Sequence, residues 1–265
     1  MRIKRIIAIV ISAVMLMALF ASCDVLDNLG GSSDNGEGTV NGEVLAALKK
    51  TETLRYKMTE NSKTQTIEMT GDQNLVDDSD TTTVFYMDGR NFYSKTTAGG
   101  VETVTVFVDD TMYMNAGGVK TKYEIPLSKW EEQLKEYLGE DKDMTLADLV
   151  NFQGVERVEN ADGTVTITYT KPSETPKFNV TEYNYTIAGV TSSLKLDKDS
   201  AVFTYVIDSE GRIKSTYFCL YITMSIVSEA TSYSASATYK SETYTEYDYE
   251  DTMVVTVPED ADEYK

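Results

Sequence analysis

The chain reads AVFTYVIDSEGRIKSTYFCLYITMSI from Ala201 to Ile226, and this stretch carries its clearest structural signal. Two long runs rich in β-branched and aromatic residues flank Asp208 to Gly211, whose residue types favour a turn. In the second run, alternate residues are apolar and share one face of a strand, namely Phe218, Leu220, Ile222, Met224 and Ile226. The stretch therefore predicts a long antiparallel β-hairpin.

Shorter strand-like runs lie on both sides of this hairpin. Before it, runs rich in Val, Thr and Tyr are separated by the turn-forming clusters MDGR, AGG and VDD, which predicts an antiparallel meander. A second hairpin is predicted around Ala161 to Gly163, and later strands in SYSASATYK (Ser232 to Lys240) and MVVTVP (Met253 to Pro258). Lys171 to Lys195 shows no decisive pattern. The total is about ten or eleven strands in one mainly β domain of the α+β class.

Helical spacing appears in two regions. The run EVLAALKK, from Glu43, has three apolar residues on one helical face. Between the two groups of strands, SKWEEQLKEYLG opens at Ser128 with a capping box, ends at a glycine and carries Trp130 on its apolar face. TLADLVNF follows from Thr145. The sequence thus predicts two or three short helices that pack on the sheet.

The N-terminus has the three regions of a secretory signal peptide. Three basic residues within Met1 to Arg5 precede the uncharged apolar run Ile6 to Phe20, and the small residues Ala21 and Ser22 follow. A membrane-spanning helix needs about 20 apolar residues, and this run is shorter. Residues 1–22 are therefore predicted to be a cleaved leader, with a retained anchor helix as the alternative.

Cys23 follows this leader directly. The sequence LFASC resembles the lipobox of bacterial lipoproteins, although Phe20 stands where that family usually has Leu. The resemblance implies that Cys23 is lipidated, becomes the mature N-terminus and holds the protein on the outer face of the bacterial cytoplasmic membrane. Stable anchoring needs more than one acyl chain, which a diacylglycerol group supplies. The alternative is that Cys23 is incidental.

A flexible tether is predicted between the lipid and the folded domain. DNLGGSSDNGEGTVNG, from Asp27 to Gly42, is rich in Gly, Ser, Asn and Asp. Such a composition cannot bury a core and behaves as a linker. The predicted organisation is a leader over residues 1–22, a tether over 23–42 and a single β domain over 43–265.

The composition excludes several classes of function. The net charge is −19, and it becomes more negative when the basic leader is removed. Nucleic-acid binding needs Lys and Arg for the phosphates, so a nucleic-acid partner is excluded, as is charge-driven adsorption to an anionic membrane. The chain has no histidine, which excludes Ser–His and Cys–His nucleophile pairs and histidine metal sites.

No catalytic residue, metal site or cofactor is predicted. Cys219 lies opposite the apolar face of its strand, which leaves both a partly exposed thiol and a small filler residue open, but a catalytic thiolate needs a basic neighbour. The acidic stretches Asp77 to Asp80 and Leu196 to Ala201 lack the ligand spacing of a calcium loop. Aspartates and glutamates are so numerous that no carboxylate pair is selected. The protein is therefore predicted not to be an enzyme.

The order of elements resembles one family of bacterial lipoproteins. Helix, meander, helical insert and second meander, together with VIDSEGRI and the ending at Pro258, resemble the LolA and LppX/LprG type, including uncharacterised lipoproteins of Gram-positive bacteria. The resemblance implies an incomplete barrel, in which one curved antiparallel sheet holds short helices on its concave side. Members with known roles carry acyl chains between membranes, so it also implies a monomer with an apolar ligand.

The candidate site lies on one face of SYSASATYK. Alternation places Tyr233, Ala235, Ala237 and Tyr239 on one face and Ser, Thr and Lys on the other, which we expect to be the convex, solvated one. We predict that the first face floors an apolar pocket together with Phe218, Leu220, Ile222 and Met224. The alternative is that the Trp130 helix packs closely there. A binder or carrier of a lipid or other apolar ligand is the first hypothesis, and a structural or protein-interaction lipoprotein without a small ligand is the second.

Overall fold

The computed structural model describes residues 40–70, 78–89, 91–124, 154–174, 182–187, 190–228 and 233–265. The predicted leader, Cys23, the tether up to residue 39, and the predicted helices at 128–139 and from Thr145 lie outside these residues. The described part contains one α-helix, one short 3-10 helix and twelve strands. Within those residues, the helix is neither long nor apolar enough to cross a membrane.

The elements follow the chain in a simple order. Helix α1 spans Val40–Glu52, and a 3-10 helix spans Ala261–Glu263 near the C-terminus. The strands are β1 (Arg55–Thr70), β2 (Ser79–Asp88), β3 (Asn91–Ala98), β4 (Val101–Val108), β5 (Thr111–Ala116), β6 (Val119–Glu124), β7 (Gly154–Glu159), β8 (Val165–Glu174), β9 (Glu182–Ile187), β10 (Val190–Ile207), β11 (Ile213–Ser228) and β12 (Tyr233–Asp248).

All twelve strands belong to one antiparallel sheet. Eleven of them form the path β6-β5-β4-β3-β2-β1-β12-β11-β10-β8-β7, and β9 pairs with β10 beside that path. The end strands β6 and β7 are not paired with each other within the described residues, so the sheet is open. An open twisted sheet of more than about ten strands tends to curl. The predicted mainly β fold is confirmed, and the open sheet fits the predicted incomplete barrel.

Among the described residues, the helix count is lower than predicted. The described residues contain only α1 where two or three short helices were predicted, and the other two predicted helices fall outside the description. Residues Lys171 to Lys195, which showed no decisive pattern, contain the end of β8, the whole of β9 and the start of β10.

The turn of the predicted long hairpin is built by Asp208. Its carboxylate accepts hydrogen bonds from the backbone N–H groups of Glu210 and Arg212, both at 2.9 Å, and from the Arg212 guanidinium at 2.8 Å. Gly211 has φ 75°, a left-handed conformation that favours glycine. These contacts confirm the predicted turn between β10 and β11.

The predicted strand from Met253 to Pro258 is wrong. This stretch does not join the sheet; residues 252–265, here called the C-terminal strap, lie across one face of it. Val255 is buried against Val106, Val108 and Tyr113. Strands β2 to β5 already have a neighbour on each side, so an apolar segment can only stack on their face.

The C-terminal strap is tied to the sheet at several points. The N–H of Val255 donates to the Asp88 carboxylate at 3.3 Å, and the N–H of Lys122 in β6 donates to the carbonyl of Lys265 at 2.9 Å. The ammonium of Lys120 donates to the carboxylates of Asp260 and Glu263.

The two faces of the sheet are covered by different segments. Helix α1 packs Val44 and Ala47 against a cluster that includes Ile167, Tyr205 and Ile213, and this covered surface is called the helix-side face. Successive residues of a strand point to opposite faces. In β4, Phe107 packs with the helix-side cluster around Met58, Phe85 and Phe92, whereas Val106 and Val108 pack under the strap. The opposite surface is called the strap-side face.

Candidate functional site

The register of β11 and β12 brings the predicted pocket residues together. Residues directly opposite each other in an antiparallel pair point to the same face. Met224 lies opposite Ala237, and Ile222 lies opposite Tyr239, while Ala235 and Tyr233 follow on the same face of β12. For Met224 and Tyr233 the structure gives only the strand register.

Phe218 shows which face this is. It lies opposite Phe203 of β10, and Phe203 packs against the cluster under α1. The candidate residues therefore lie on the helix-side face. The part of this surface formed by the second half of β11 and the first half of β12 is called the apolar floor, and it consists of Leu220, Ile222, Met224, Ala235, Ala237 and Tyr239.

The apolar floor is buried along β12. Ala235, Ala237 and Tyr239 are 3%, 2% and 3% exposed, and Leu220 and Ile222 are half-buried. On the opposite face of the same strand, Ser234 is exposed and Ser236, Thr238 and Lys240 are half-buried. The more solvated side of β12 is therefore the polar one, as the alternation predicted.

Met69, which the sequence pattern does not reveal as a site residue, borders the floor from β1. A β-bulge between Thr66 and Glu68 shifts the register, so that Met69 lies opposite Ala237. Without the bulge, alternation would place Met69 on the strap-side face, and no local sequence signal marks the bulge. Met69 is 42% exposed although it neighbours a buried alanine. The apolar floor therefore reaches solvent at this strand.

Hydroxyl side chains lie on the helix-side face between the apolar floor and the cluster around Met58, Phe85 and Phe92. They are called the hydroxyl band and comprise Ser62, Thr64, Thr83, Thr96, Ser241, Thr243 and Thr245. Their hydroxyls pair across the strands, Ser62 with Thr243 at 3.0 Å. The pair Thr64 and Ser241 is 3.3 Å apart, and the pair Thr83 and Thr96 is 3.1 Å apart.

Glu60 stands inside this band. It lies opposite Thr83 on one side and Thr245 on the other, and its carboxylate accepts a hydrogen bond from the Ser62 hydroxyl at 3.4 Å. Burial raises the pKa of the Glu60 carboxyl, and the Ser62 hydrogen bond partly opposes this. Glu60 is one of 43 acidic residues in the chain, so the sequence offered no means of selecting it.

Cys219 is buried, a point that the alternation of its strand left open. Its side chain points to the strap-side face and is 5% exposed. On that face the Tyr217 hydroxyl donates to Glu242 at 2.7 Å, and the Lys240 ammonium pairs with Glu242 at 2.8 Å and lies over the Tyr221 ring. Long polar side chains therefore surround a small filler residue.

A metal-binding site was also sought among the side chains of the described residues. Within those residues, no group of three or more Cys, Asp or Glu side chains is arranged to hold an ion.

Comparison with known proteins leaves the identity of the chain open. No protein-family model matches it, and no curated protein matches it. The resemblance to LolA and LppX/LprG lipoproteins therefore stays a prediction from the sequence.

Proposed function

We propose that this chain is a membrane-anchored extracytoplasmic lipoprotein of the LolA and LppX/LprG type that binds or carries a lipid or another apolar ligand. We propose further that it acts as a monomer and catalyses no reaction. The observation that carries the proposal is the apolar floor, which lies on the helix-side face of an open sheet and reaches solvent at Met69.

The two alanines of the floor favour a binding role over simple packing. A strand position that only has to fill a core favours Val or Ile, which match the pleated surface and fill more volume. Ala235 and Ala237 are instead small, and Met224, the cross-strand partner of Ala237, is an unbranched residue of a type that adapts to irregular gaps. Ligand sites are largely apolar and concave, with volumes of about 300–1,000 Å³ for drug-sized molecules.

A protein-interaction role is the second candidate, and the ends of the sheet favour it. Val119 of β6 is 64% exposed, and Val155 and Val158 of β7 are 50% and 43% exposed. Open sheet edges with exposed apolar side chains are surfaces on which another chain can add a strand.

Filling the floor is expected to abolish ligand uptake. The variant Ala235→Phe with Ala237→Phe should lose binding of a pyrene-labelled acyl methyl ester, because two rings occupy the space of the acyl chain. Fluorescence titration measures the affinity, and we expect a loss of at least about tenfold, or ~1.4 kcal/mol. The matched control Ser234→Phe with Ser236→Phe places the same rings on the other face of the same strand and should bind normally.

Two results would count against the proposed binding of an apolar ligand. Overpacking a full core costs about 1–3 kcal/mol per site, so loss of folding in the Ala235 and Ala237 variant, together with stable folding of the control, indicates a packed floor. The milder Ala237→Val variant then distinguishes a packed floor from a hollow one. A hollow floor accepts valine without loss of thermal stability, whereas a packed floor does not. A wild-type domain that takes up no apolar probe favours the protein-interaction role.

Removing the thiol at Cys23 tests the anchor. Cys23→Ser should shift the protein from the membrane fraction to the soluble or secreted fraction, because the acyl chains can no longer be attached. Immunoblots of fractionated cells measure the distribution. Cys219→Ala removes the other cysteine and should leave the protein in the membrane fraction. A Cys23→Ser protein that stays in the membrane with its leader uncleaved would identify a signal anchor instead.

A further inference from the structure

We propose that the hydroxyl band and Glu60 form the polar subsite of the same binding site, and that this subsite selects amphiphiles with an uncharged, hydrogen-bond-donating head group such as a polyol. The inference rests on the proposed binding function and adds the class of ligand. It assigns the acyl chain to the apolar floor and the head group to the neighbouring hydroxyls.

Hydroxyls occupy positions where packing alone favours valine. Ser241, Thr243 and Thr245 are 5%, 7% and 2% exposed on the helix-side face. Valine has nearly the shape of threonine and avoids the cost of taking a hydroxyl out of water. Buried hydroxyls persist when they have hydrogen-bonding partners, and a hydroxyl can turn to donate or to accept. A row of them can therefore re-pair with the hydroxyls of a bound polyol.

The band and the floor are consecutive parts of the same strands. Along β12, Ala235, Ala237 and Tyr239 lead directly into Ser241, Thr243 and Thr245 on one face. Along β1, Met69 is followed toward the N-terminus by Thr64, Ser62 and Glu60. A strand rises about 3.3 Å per residue, so Ala237 and Thr243 are about 20 Å apart. An extended acyl chain on the floor would thus place its head group at the band.

The charge of the subsite sets the preference among head groups. An ionised carboxylate only accepts hydrogen bonds, and Glu60 lies between two buried threonines with a serine hydroxyl bonded to it. A carboxylate or phosphate on the ligand would bring a second negative charge into a partly buried region, which costs free energy. A polyol supplies donors to Glu60 without adding charge.

The test compares three pyrene-labelled probes with the same acyl chain: the methyl ester, the glycerol monoester and the free acid. The purified protein should bind the glycerol ester about tenfold more tightly than the methyl ester, the gain expected from one or two net hydrogen bonds. The free acid should bind more weakly than the methyl ester. Glu60→Gln and, separately, Thr243→Val should reduce the affinity for the glycerol ester to that for the methyl ester.

A matched control exists on the other face of β12. Thr223 and Thr238 form a hydroxyl pair at 3.0 Å on the strap-side face, so Thr238→Val removes an equivalent pair and should keep the preference for glycerol ester. Binding of all three probes with equal affinity overturns the polar subsite while the apolar site stands. Loss of the preference in Thr238→Val also overturns it, and binding of no probe removes the proposed function itself.

Discussion

Replacing Ile213 with alanine is expected to lower the free energy of unfolding by about 2–5 kcal/mol. Ile213 is 0% exposed and begins β11 at the point where the hairpin meets α1. Its N–H donates to the Thr51 hydroxyl at 3.0 Å, and its carbonyl accepts from the Tyr249 hydroxyl at 2.5 Å. The truncated side chain would leave a cavity under the helix. Urea denaturation followed by circular dichroism measures the loss.

The same substitution at an exposed isoleucine provides the control. Ile67 lies at the bulge of β1 and is 52% exposed, so Ile67→Ala should change the free energy of unfolding by no more than about 0.5 kcal/mol. If both variants lost the same free energy, the docking of α1 on β11 described here would be wrong.

Placing a charge at Val255 is expected to release the C-terminal strap. Val255 is 5% exposed among Val106, Val108 and Tyr113, and an unpaired carboxylate there costs several kcal/mol unless the strap leaves the sheet. In Val255→Asp, limited proteolysis should therefore remove the C-terminal residues rapidly. A dye that binds apolar surfaces should also fluoresce, because the strap-side face of β4 and β5 becomes exposed.

Val254 provides the matched control for the strap. It neighbours Val255, is 57% exposed and points away from the sheet, so Val254→Asp should resist proteolysis as the unaltered protein does. Equal cleavage of the two variants would show that the burial of Val255 does not hold the strap in place.

Alternation predicted the strands and their faces because it follows from the pleat itself. The hairpin of β10 and β11 combined long alternating runs with an Asp-to-Gly turn, and its position is confirmed. The same rule correctly separated the buried Ala235 and Ala237 from the more exposed Ser234 and Ser236. Alternation does not show which strands pair with each other, or whether a segment finds a free sheet edge. MVVTVP has the pattern of a strand, yet the strands beneath it already have two neighbours each.

Some residues take positions that the sequence pattern did not reveal, because these positions depend on contacts between distant parts of the chain. Met69 joins the floor only because a bulge changes the register of β1 against β12. Glu60 is distinguished by lying between Thr83 and Thr245, which come from strands far apart in sequence. The burial of Cys219 depends on the long side chains around it, which a single strand does not reveal.

The pairing of β1 with β12 has a consequence for the order of folding. Lys57 pairs with Asp248, so the seam in the middle of the sheet joins the beginning of the domain to its end. As the chain emerges N-terminus first, β1 to β6 can pair hairpin by hairpin, because each of β2 to β6 pairs with the strand just before it. Joining at the seam closes a long loop and is slow. Until β12 has emerged and paired, the free edge of β1 is therefore an aggregation-prone surface of the chain.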